Sequence, residues 1–439
     1  MIISLSLENW MSFRNKVTFS MIATRERHHG ERVPKIKKYK TRVLPIAAIY
    51  GGNASGKTNL FKALKFAQRL VEGDLKPEEL IPVKPFQLDS ISPKKPSMFC
   101  FELLINGTIY EFSFVVNRTS ILEEKLVVIS SSSEKVLYHR REGDLDPNFE
   151  KSLISKNPPL KVVFNGTQDN QLFLTNSVTQ KIKIFKPVYD WFIHTLKIVT
   201  PSTRYRHIEY HDEGSFLYTL LNNMLPQLDT GIAELGYNEI DLPLRLQKPN
   251  SVKNILKMFD DIESVHGNID DYVLTHKKGD ILTRRLVTFH EKEDGAKEQF
   301  QINQESDGTR RLLELLPTMA EIFVPISKKV YIIDEFDRSL HTHLSRSLLE
   351  AYLNQCSQET RTQLLLNTHD VMLMDKKLFR YDEMWVAERD SIGVSNLFSF
   401  NEYKDVRNDK DIRRSYLQGR MGGIPNILLG EVLNKSLPE

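Results

Sequence analysis

The sequence predicts an α/β fold in which a parallel sheet carries a phosphate-binding site at the carboxyl ends of its strands. Three observations indicate this fold. An apolar strand at 44–50 leads directly into Gly51-x-x-x-x-Gly56-Lys57-Thr58, and a helical pattern follows. Two further apolar strands, at 330–333 and 363–366, also end in polar residues. Ligands bind beyond the carboxyl ends of parallel strands, so we expect these three strand ends to form one site.

Composition places broad limits on the class of protein. A length of 439 residues is enough for one large domain or two to three modest domains. The net charge of +3 creates no strong basic field, so composition alone does not favour nucleic acid as a partner. Cys100 and Cys356 lie far apart and suit a reducing compartment. There is no signal-peptide pattern and no apolar run of membrane-spanning length, so we expect a cytoplasmic protein without a membrane partner.

The amino-terminal segment contains a predicted strand and a basic run. Residues 1–13 alternate apolar and polar side chains, which is typical of a half-buried strand. Residues 25–42 are strongly basic and include Tyr39. Charge runs of this kind are usually solvated, so the sequence favours a mobile insertion. The alternative is that residues 25–42 bind phosphate or an acidic partner.

The segment 51–59 has the residue types that bind a nucleotide phosphate. Its two bounding glycines allow a tight turn in which successive N–H groups converge on one anion, and the helix that follows adds its positive dipole end. Lys57 can reach the β- and γ-phosphates, and the Thr58 hydroxyl can bind Mg²⁺. The predicted ATP-binding residues of this loop are Gly51, Gly52, Asn53, Ala54, Ser55, Gly56, Lys57, Thr58 and Asn59.

The middle of the chain is predicted to contain a β lobe followed by helices. Residues 98–140 form strand-like runs joined by Asn106-Gly107, which is a strong hairpin signal. Helical patterns at 215–225 and 252–265 predict a largely helical insertion over 186–295. Two strands around a charged turn close this part of the chain.

Two strand ends in the last third of the sequence carry candidate catalytic residues. The strand at 330–333 stops at Asp334 and Glu335, a Walker B arrangement in which Asp334 holds Mg²⁺ through water and Glu335 polarises the attacking water. The strand that begins at Gln363 ends in polar residues that include His369. We assign His369 a contact with the γ-phosphate, because it follows a third strand of the same predicted sheet.

Further motifs carry a family resemblance. In the segment 305–317, Ser306 and Gly308 open a helix and resemble the signature motif of ABC ATPases. The order P-loop, long insertion, signature, Walker B and His switch is the ABC order. Together with YLQGRMGGIP near the carboxyl terminus, these motifs resemble the stand-alone ABC/SMC-like, OLD-type ATPases of bacterial anti-phage defence operons. The resemblance implies an ABC-type head built from residues 1–185 and 296–439, with ATP and Mg²⁺ as cofactors.

The resemblance also implies partners. In ABC ATPases the signature motif caps the γ-phosphate bound by another subunit, so we expect a dimer or higher homo-oligomer with composite ATP sites. A defence ATPase of this kind would hold a separate toxic nuclease of the TOPRIM type and respond to a phage protein. About 70 residues follow His369, which is too few for a nuclease domain in this chain. A RecF/SMC-like ATPase that clamps duplex DNA, with 25–42 as its contact surface, is the alternative.

Several positions depart from the ABC pattern or match it weakly. Asp307 replaces the first glycine of the signature, and His341 stands where transporters have the aspartate of the D-loop. Gln87 lies where a Q-loop glutamine could reach Mg²⁺ and the attacking water, although a surface loop residue is the alternative. Asp337 and Arg338 are assigned to a dimer interface or a salt bridge rather than to catalysis.

Overall fold

A computed structural model describes residues 1–141, 144–145, 158–201, 216–240, 267–269, 272–277, 280–324, 327–403 and 411–424. The chain divides into two compact units. The first contains Met1–Thr200, Pro325–Asp337 and Leu349–Glu439, and the second contains Pro201–Val324 and Arg338–Leu348. Within the described ranges, no helix has the length and apolar character needed to cross a bilayer.

The described residues contain the following strands, which are numbered in chain order. They are β1 (Ile2–Glu8), β2 (Val17–Ser20), β3 (Lys35–Ile36), β4 (Thr41–Arg42), β5 (Ile46–Tyr50), β6 (Ser97–Ile105), β7 (Thr108–Val116), β8 (Ile121–Ile129), β9 (Glu134–Arg141), β10 (Asp144–Leu145), β11 (Leu196–Val199), β12 (Ile232–Ile240), β13 (Gly267–Ile269), β14 (Tyr272–Lys277), β15 (Asp280–Glu291), β16 (Lys297–Gln301), β17 (Val330–Ile333), β18 (Gln363–Asn367), β19 (Met384–Arg389) and β20 (Ser395–Ser399).

Most of the α-helices are short. The three longer helices follow the P-loop, precede β17 and follow β17. They are α1 (Lys57–Glu72), α2 (Pro159–Asn165), α3 (Phe173–Thr179), α4 (Lys186–Asp190), α5 (Phe216–Met224), α6 (Asp307–Ile322), α7 (Thr342–Gln355) and α8 (Ile412–Leu417). A single π-helical turn, Trp191–Thr195, continues α4.

A six-stranded sheet in the first unit confirms the predicted α/β fold. Its strand order is β11-β17-β18-β5-β19-β20, and every neighbouring pair is parallel except β19 and β20. The strands β5, β17 and β18 are buried along their whole length, as expected for the centre of a parallel sheet covered on both faces. Because β5, β17, β18 and β19 run the same way, their carboxyl ends meet at one edge.

A seven-stranded antiparallel sheet, in the order β10-β9-β8-β7-β6-β1-β2, contains the predicted β lobe. The hairpin at Asn106-Gly107 is confirmed: both residues have positive φ, at 49° and 76°, as a two-residue hairpin turn requires. The lobe is larger than expected, because the amino-terminal strand β1 pairs with β6. Its inner face packs on α1 through an aromatic cluster in which Phe66 contacts Trp10 and Phe99.

One buried glutamine joins the seven-stranded sheet to the six-stranded sheet. Gln363, at the start of β18, is fully buried. Its Oε1 accepts a hydrogen bond from the Ile2 N–H at 2.6 Å, and its Nε2 donates to the carbonyls of Ile2 and Leu44 at 3.0 Å each. These contacts use both N–H groups and the oxygen of the side-chain amide, and they tie β1 to β18 and to the residues just before β5.

The basic run 25–42 is held against the protein, which corrects the expectation of a mobile insertion. Arg380 is fully buried, and its guanidinium donates to Asp382 and to the backbone carbonyls of Glu26 and His28. From within the run, Arg32 donates to Glu383 at 2.5 Å. The residues that Arg32 contacts are more than 340 positions away in sequence, so the charge pattern of the run 25–42 could not predict these contacts.

The described part of the insertion 186–295 contains more strand than the sequence analysis expects. The predicted helix at 215–225 is confirmed as α5, whereas the one at 252–265 lies outside the described residues. The strands β12, β15, β14 and β13 form an antiparallel sheet in that order, and β16 pairs with Val287–Glu291 of β15. In this sheet Tyr237 lies opposite Leu286, so strand formation depends on pairing between distant segments.

We predict that the buried charge network around Arg380 stabilises the first unit. The Arg380→Ala variant leaves the buried carboxylate of Asp382 without its guanidinium partner, and breaking a buried pair in this way costs about 3–5 kcal/mol. The control is Arg141→Ala, which removes an ion pair whose arginine side chain is 69% exposed and is expected to cost less than ~1 kcal/mol. Urea unfolding measures both free energies, and equal losses would contradict the prediction.

Candidate nucleotide-binding site

The loop between β5 and α1 has a backbone that only glycine can provide at two positions. Gly51 and Gly56 have φ angles of 145° and 109°. A Cβ at Gly51 would lie 2.3 Å from the carbonyl oxygen of Ala387, and one at Gly56 would lie 2.5 Å from the Ser395 hydroxyl. Both glycines therefore allow the close backbone approach and the turn that a phosphate-binding loop needs.

Lys57 begins α1 and lies inside the loop. Its Nζ donates to the carbonyl oxygens of Gly51, at 2.6 Å, and Gly52, at 2.9 Å. Burial lowers the pKa of Lys57 to about 8, and the nearby carboxylates of Asp337, Asp334 and Glu335 oppose that shift only in part. A phosphate bound in the loop would supply the negative charge that stabilises the protonated amine.

Asp334 and Thr58 place two hard oxygen donors side by side. Asp334 follows β17 and is buried, and its Oδ1 accepts a hydrogen bond from the Thr58 hydroxyl at 3.0 Å. The same Oδ1 accepts a short hydrogen bond from Nδ2 of Asn367, at the end of β18. A carboxylate and a hydroxyl at the mouth of a phosphate loop form the donor set that Mg²⁺ uses with a nucleotide, so these residues fit the predicted metal.

Glu335 is oriented by the same asparagine. Its backbone N–H donates to Oδ1 of Asn367 at 2.6 Å, and its φ of 51° lies in the left-handed region. One amide side chain therefore contacts both carboxylate residues that follow β17, holding Asp334 through its side chain and Glu335 through its backbone. Left-handed backbone at a non-glycine residue is uncommon and needs such support.

His369 lies beside these groups. Its backbone N–H donates to the carboxylate of Asp337, at 3.1 Å to Oδ2. Burial lowers the pKa of the His369 imidazole, and the neighbouring Lys57 adds to the effect. Asp337, which the sequence analysis assigned to an interface or a salt bridge, is thus a residue that positions the backbone of His369.

A cavity of about 570 Å³ lies in front of the P-loop and gathers most of the predicted residues. Gln87 is among them, and its Nε2 donates to the carbonyl oxygen of Pro85 at 3.0 Å. The cavity is lined by Met11, Ser12, Asn53, Ala54, Ser55, Gly56, Lys57, Thr58, Asn59, Lys84, Pro85, Phe86, Gln87, Leu88, Glu335, Asn367, His369, Arg389 and Gly393.

Sequence reasoning missed several residues of this site. The Ser12 hydroxyl accepts a hydrogen bond from Nδ2 of Asn59 at 2.9 Å. The carbonyl oxygen of Gly423 accepts one from the Gly52 N–H at 2.7 Å, so a segment near the carboxyl terminus contacts the P-loop backbone. Arg389 ends β19 and lines the cavity. Of these residues, only Arg389 could have been predicted from the sequence, because it is the last residue of a fourth strand, β19, that runs parallel to β5.

The signature residues belong to the second unit. Ser306 is the N-cap of α6, and its hydroxyl accepts a hydrogen bond from the Thr309 N–H at 3.1 Å. A Cβ at Gly308 would lie 2.7 Å from the carbonyl oxygen of Ser339, so glycine allows α6 to approach that loop closely. The helix start is therefore formed as predicted, and its role in binding ATP stays a prediction.

A glycine-bounded loop on a helix amino terminus, a buried lysine and an aspartate–threonine pair at parallel strand ends define a P-loop nucleoside triphosphatase. The family follows from the sequence: the profile described as "AAA domain, putative AbiEii toxin, Type IV TA system" matches residues 46–375. The match covers most of the chain, and the protein belongs to this AAA-domain family. It is an ATPase of the AAA type.

Comparisons with other proteins add two similar solved structures. The chain is similar to the SMC head domain from Thermotoga maritima, at 14% identity over 91% of this chain and 98% of the other, with a TM-score of 0.35. It is also similar to an SMC head bound to the C-winged helix domain of ScpA, at 13% identity over 91% and 99% of the two chains, with a TM-score of 0.38. No curated protein matches the sequence.

We predict that nucleotide binding at pH 8 is accompanied by proton uptake. The pKa of Lys57 is about 8 without nucleotide, so roughly half of the amine is neutral at that pH. A triphosphate beside Lys57 raises this pKa, and binding of ATP with Mg²⁺ should take up about half a proton. Calorimetric titration in two buffers of different ionisation enthalpy measures the uptake.

The same titration at pH 6.5 is the control for proton uptake. There Lys57 is already protonated before ATP binds, so the uptake from this group should approach zero. Equal uptake at the two pH values would show that another group titrates, and would contradict the assignment to Lys57.

Proposed function

We propose that this protein hydrolyses ATP as the sensor and scaffold subunit of an anti-phage defence system. It would hold a separate toxic nuclease and release or activate that nuclease when a phage component is detected. The observation that carries the ATPase part is the contact of Asn367 with both Asp334 and Glu335 beside Thr58. This arrangement gathers metal ligands and a candidate base at one end of the sheet.

ATP fits the site through its phosphates. The loop 51–56 and the amino terminus of α1 offer backbone N–H groups, and Lys57 can exchange its carbonyl partners for phosphate oxygens. Thr58 and Asp334 would hold Mg²⁺, with Gln87 as a further ligand from the cavity wall. The metal, when bound, neutralises charge on the phosphate oxygens.

The hydrolytic step rests on Glu335 and His369. The Glu335 carboxylate would accept a proton from the attacking water as that water bonds to the γ-phosphorus and the bond to the β-phosphate oxygen breaks. His369, with its lowered pKa, would donate one hydrogen bond from a neutral ring to the γ-phosphate. Lys57 remains protonated beside the phosphates and stabilises the charge that moves toward the leaving group.

We predict that Glu335→Gln and Asp334→Asn separate hydrolysis from binding. Glu335→Gln keeps the size of the side chain and removes the base, so steady-state hydrolysis should fall at least about 100-fold while ATP affinity is retained. Asp334→Asn should lower ATP affinity in the presence of Mg²⁺ together with turnover. Equilibrium binding of ATP and steady-state hydrolysis measure the two effects.

The control for this pair is Glu359→Gln, because Glu359 is 74% exposed and does not line the cavity. It should leave both measurements unchanged. Near-normal hydrolysis by Glu335→Gln would assign the base to another residue, with Asp337 and His369 as the candidates.

We propose that the active form is at least a dimer with composite ATP sites. In this arrangement Ser306 and the amino terminus of α6 from one subunit cap the γ-phosphate held by Lys57 of another. The hydroxyl of the N-cap residue Ser306 and the backbone N–H groups at the amino terminus of α6 are the groups that such a contact uses. The resemblance of residues 305–317 to the ABC signature supports this proposal.

A mixing experiment tests composite sites. Lys57→Ala and Ser306→Arg should each be inactive alone, whereas a mixed dimer contains one site in which both motifs are native. Hydrolysis by the mixture should therefore exceed that of either variant. The control is the double variant, Lys57→Ala with Ser306→Arg on one chain, which should show no recovery when mixed with either single variant. No recovery in the first mixture would reject composite sites.

The defence role rests on sequence resemblance. The motifs resemble those of the AriA ATPase of the PARIS system, with RloA and the Septu ATPase PtuA as relatives, and the family description also names a toxin system. The runner-up function is a RecF/SMC-like clamp on duplex DNA. The exposed lysines of the run 25–42, at Lys35, Lys37, Lys38 and Lys40, are the observation that favours it.

Expression under phage challenge tests the defence role. This chain alone should neither arrest growth nor protect cells, and co-expression with the nuclease gene of the same operon should do both. Co-expression of the Glu335→Gln variant with the nuclease tests whether growth arrest and protection need ATP hydrolysis. Growth arrest by this chain alone would contradict the proposal, and duplex DNA binding that weakens steeply with salt would favour the clamp.

A further inference from the structure

We propose that a cavity at the amino-terminal edge of the six-stranded sheet is a second ligand site. It would take a small organic anion that carries phosphate or carboxylate groups on an apolar or aromatic body. The cavity has a volume of about 740 Å³, within the range of about 300–1,000 Å³ that ligand pockets show. All of its lining residues belong to the first unit.

The position of this cavity separates it from the nucleotide site. Thr195, Lys328 and Arg361 line it, and each lies within two residues of the start of β11, β17 or β18. The P-loop, Asp334 and His369 lie at the opposite ends of the same sheet. Since these strands have four or five residues, the two edges are roughly 15 Å apart.

The lining of the cavity is strongly cationic. It contains three lysines and one arginine, Lys183, Lys186, Lys328 and Arg361, against one carboxylate, Asp190. That carboxylate is paired with Lys186, at 2.5 Å. Among the residues that the structure describes, no carboxylate forms an ion pair with Lys183 or Lys328. A concave surface lined by one sign of charge concentrates ions of the opposite sign, which are anions here.

The floor of the cavity is apolar. Leu104, Ile105 and Trp191 are buried there, with Trp191 only 2% exposed. The indole N–H of Trp191 is closed off from solvent, so this residue contributes apolar packing to the floor rather than a hydrogen bond to a ligand. An apolar floor suits the uncharged body of a small organic ligand.

The backbone around Trp191 is also unusual. Trp191 begins the π-helical turn Trp191–Thr195, a rare geometry that is frequent at functional sites. Lys329, next to β17, donates to the carbonyl oxygen of His194 at 2.6 Å and so holds this turn against the sheet. The turn brings Trp191, His194 and Thr195 to the same cavity. An apolar floor and cations at the rim together suit an amphipathic anion.

Two probes test the site while the nucleotide site is kept occupied. Phenyl phosphate and phthalate are titrated separately into the full chain at low salt, with ADP and Mg²⁺ at saturation, and binding is followed by calorimetry. We expect one equivalent of at least one probe to bind at concentrations up to about 1 mM. Binding of phenyl phosphate alone identifies a phosphate ligand, and binding of phthalate alone identifies a carboxylate ligand; either supports the proposal.

Variants locate the bound probe. Lys183→Glu with Lys328→Glu should weaken binding of the probe at least tenfold. The matched control is Lys65→Glu with Lys135→Glu, which makes the same change in net charge at two exposed lysines outside the cavity. It should leave affinity within twofold.

The outcomes are decisive because the reversed lysines are exposed and the variants should keep the fold, as circular dichroism can verify. The proposal is overturned if neither probe binds, or if the control pair weakens binding as much as the cavity pair. It is also overturned if Lys183→Glu with Lys328→Glu binds as tightly as the native chain.

Discussion

The carboxylate of Asp334 is buried at the end of one strand and depends on donors from two other segments. Thr58 supplies one donor from the helix after β5, and Asn367 supplies another from the end of β18. An ionised carboxylate in that position is stable only when it is paired or hydrogen-bonded, so the three segments must meet there. The parallel order of β17, β18 and β5 is the arrangement that brings their carboxyl ends together. The nucleotide site is therefore a property of the sheet rather than of one loop.

The sequence was informative wherever the physical requirement is local. The P-loop glycines, the Asn106-Gly107 hairpin and the apolar strand before Asp334 each follow from the conformations that neighbouring residues allow, and all could be predicted. The α/β fold followed from the order of such elements. Gln87 lies in the wall of the nucleotide cavity, and its contact with Mg²⁺ and the attacking water stays a prediction.

The sequence was uninformative wherever a side chain is explained by a distant partner. Asn367 was only one polar residue at a strand end until its contacts with Asp334 and Glu335 were known. The basic run at 25–42 looked solvated because Glu383, which pairs with Arg32, lies 351 residues away. The strands β12, β13 and β14 were missed for a similar reason, since each depends on pairing with another segment, whereas the two strands predicted around the charged turn are present as β15 and β16.

The position of β5 between β18 and β19 has a consequence for how the protein is made. Ile46 pairs with Leu364 and Ala48 pairs with Met384, so both neighbours of the P-loop strand leave the ribosome more than 300 residues later. At about 5–20 residues per second this delay is roughly 15–60 seconds. During that time β5 has two free edges, which are templates for wrong pairing. The Gly52 N–H donates to the carbonyl oxygen of Gly423, which is made later still, so a nascent chain completes its nucleotide site only after residue 423 has been added.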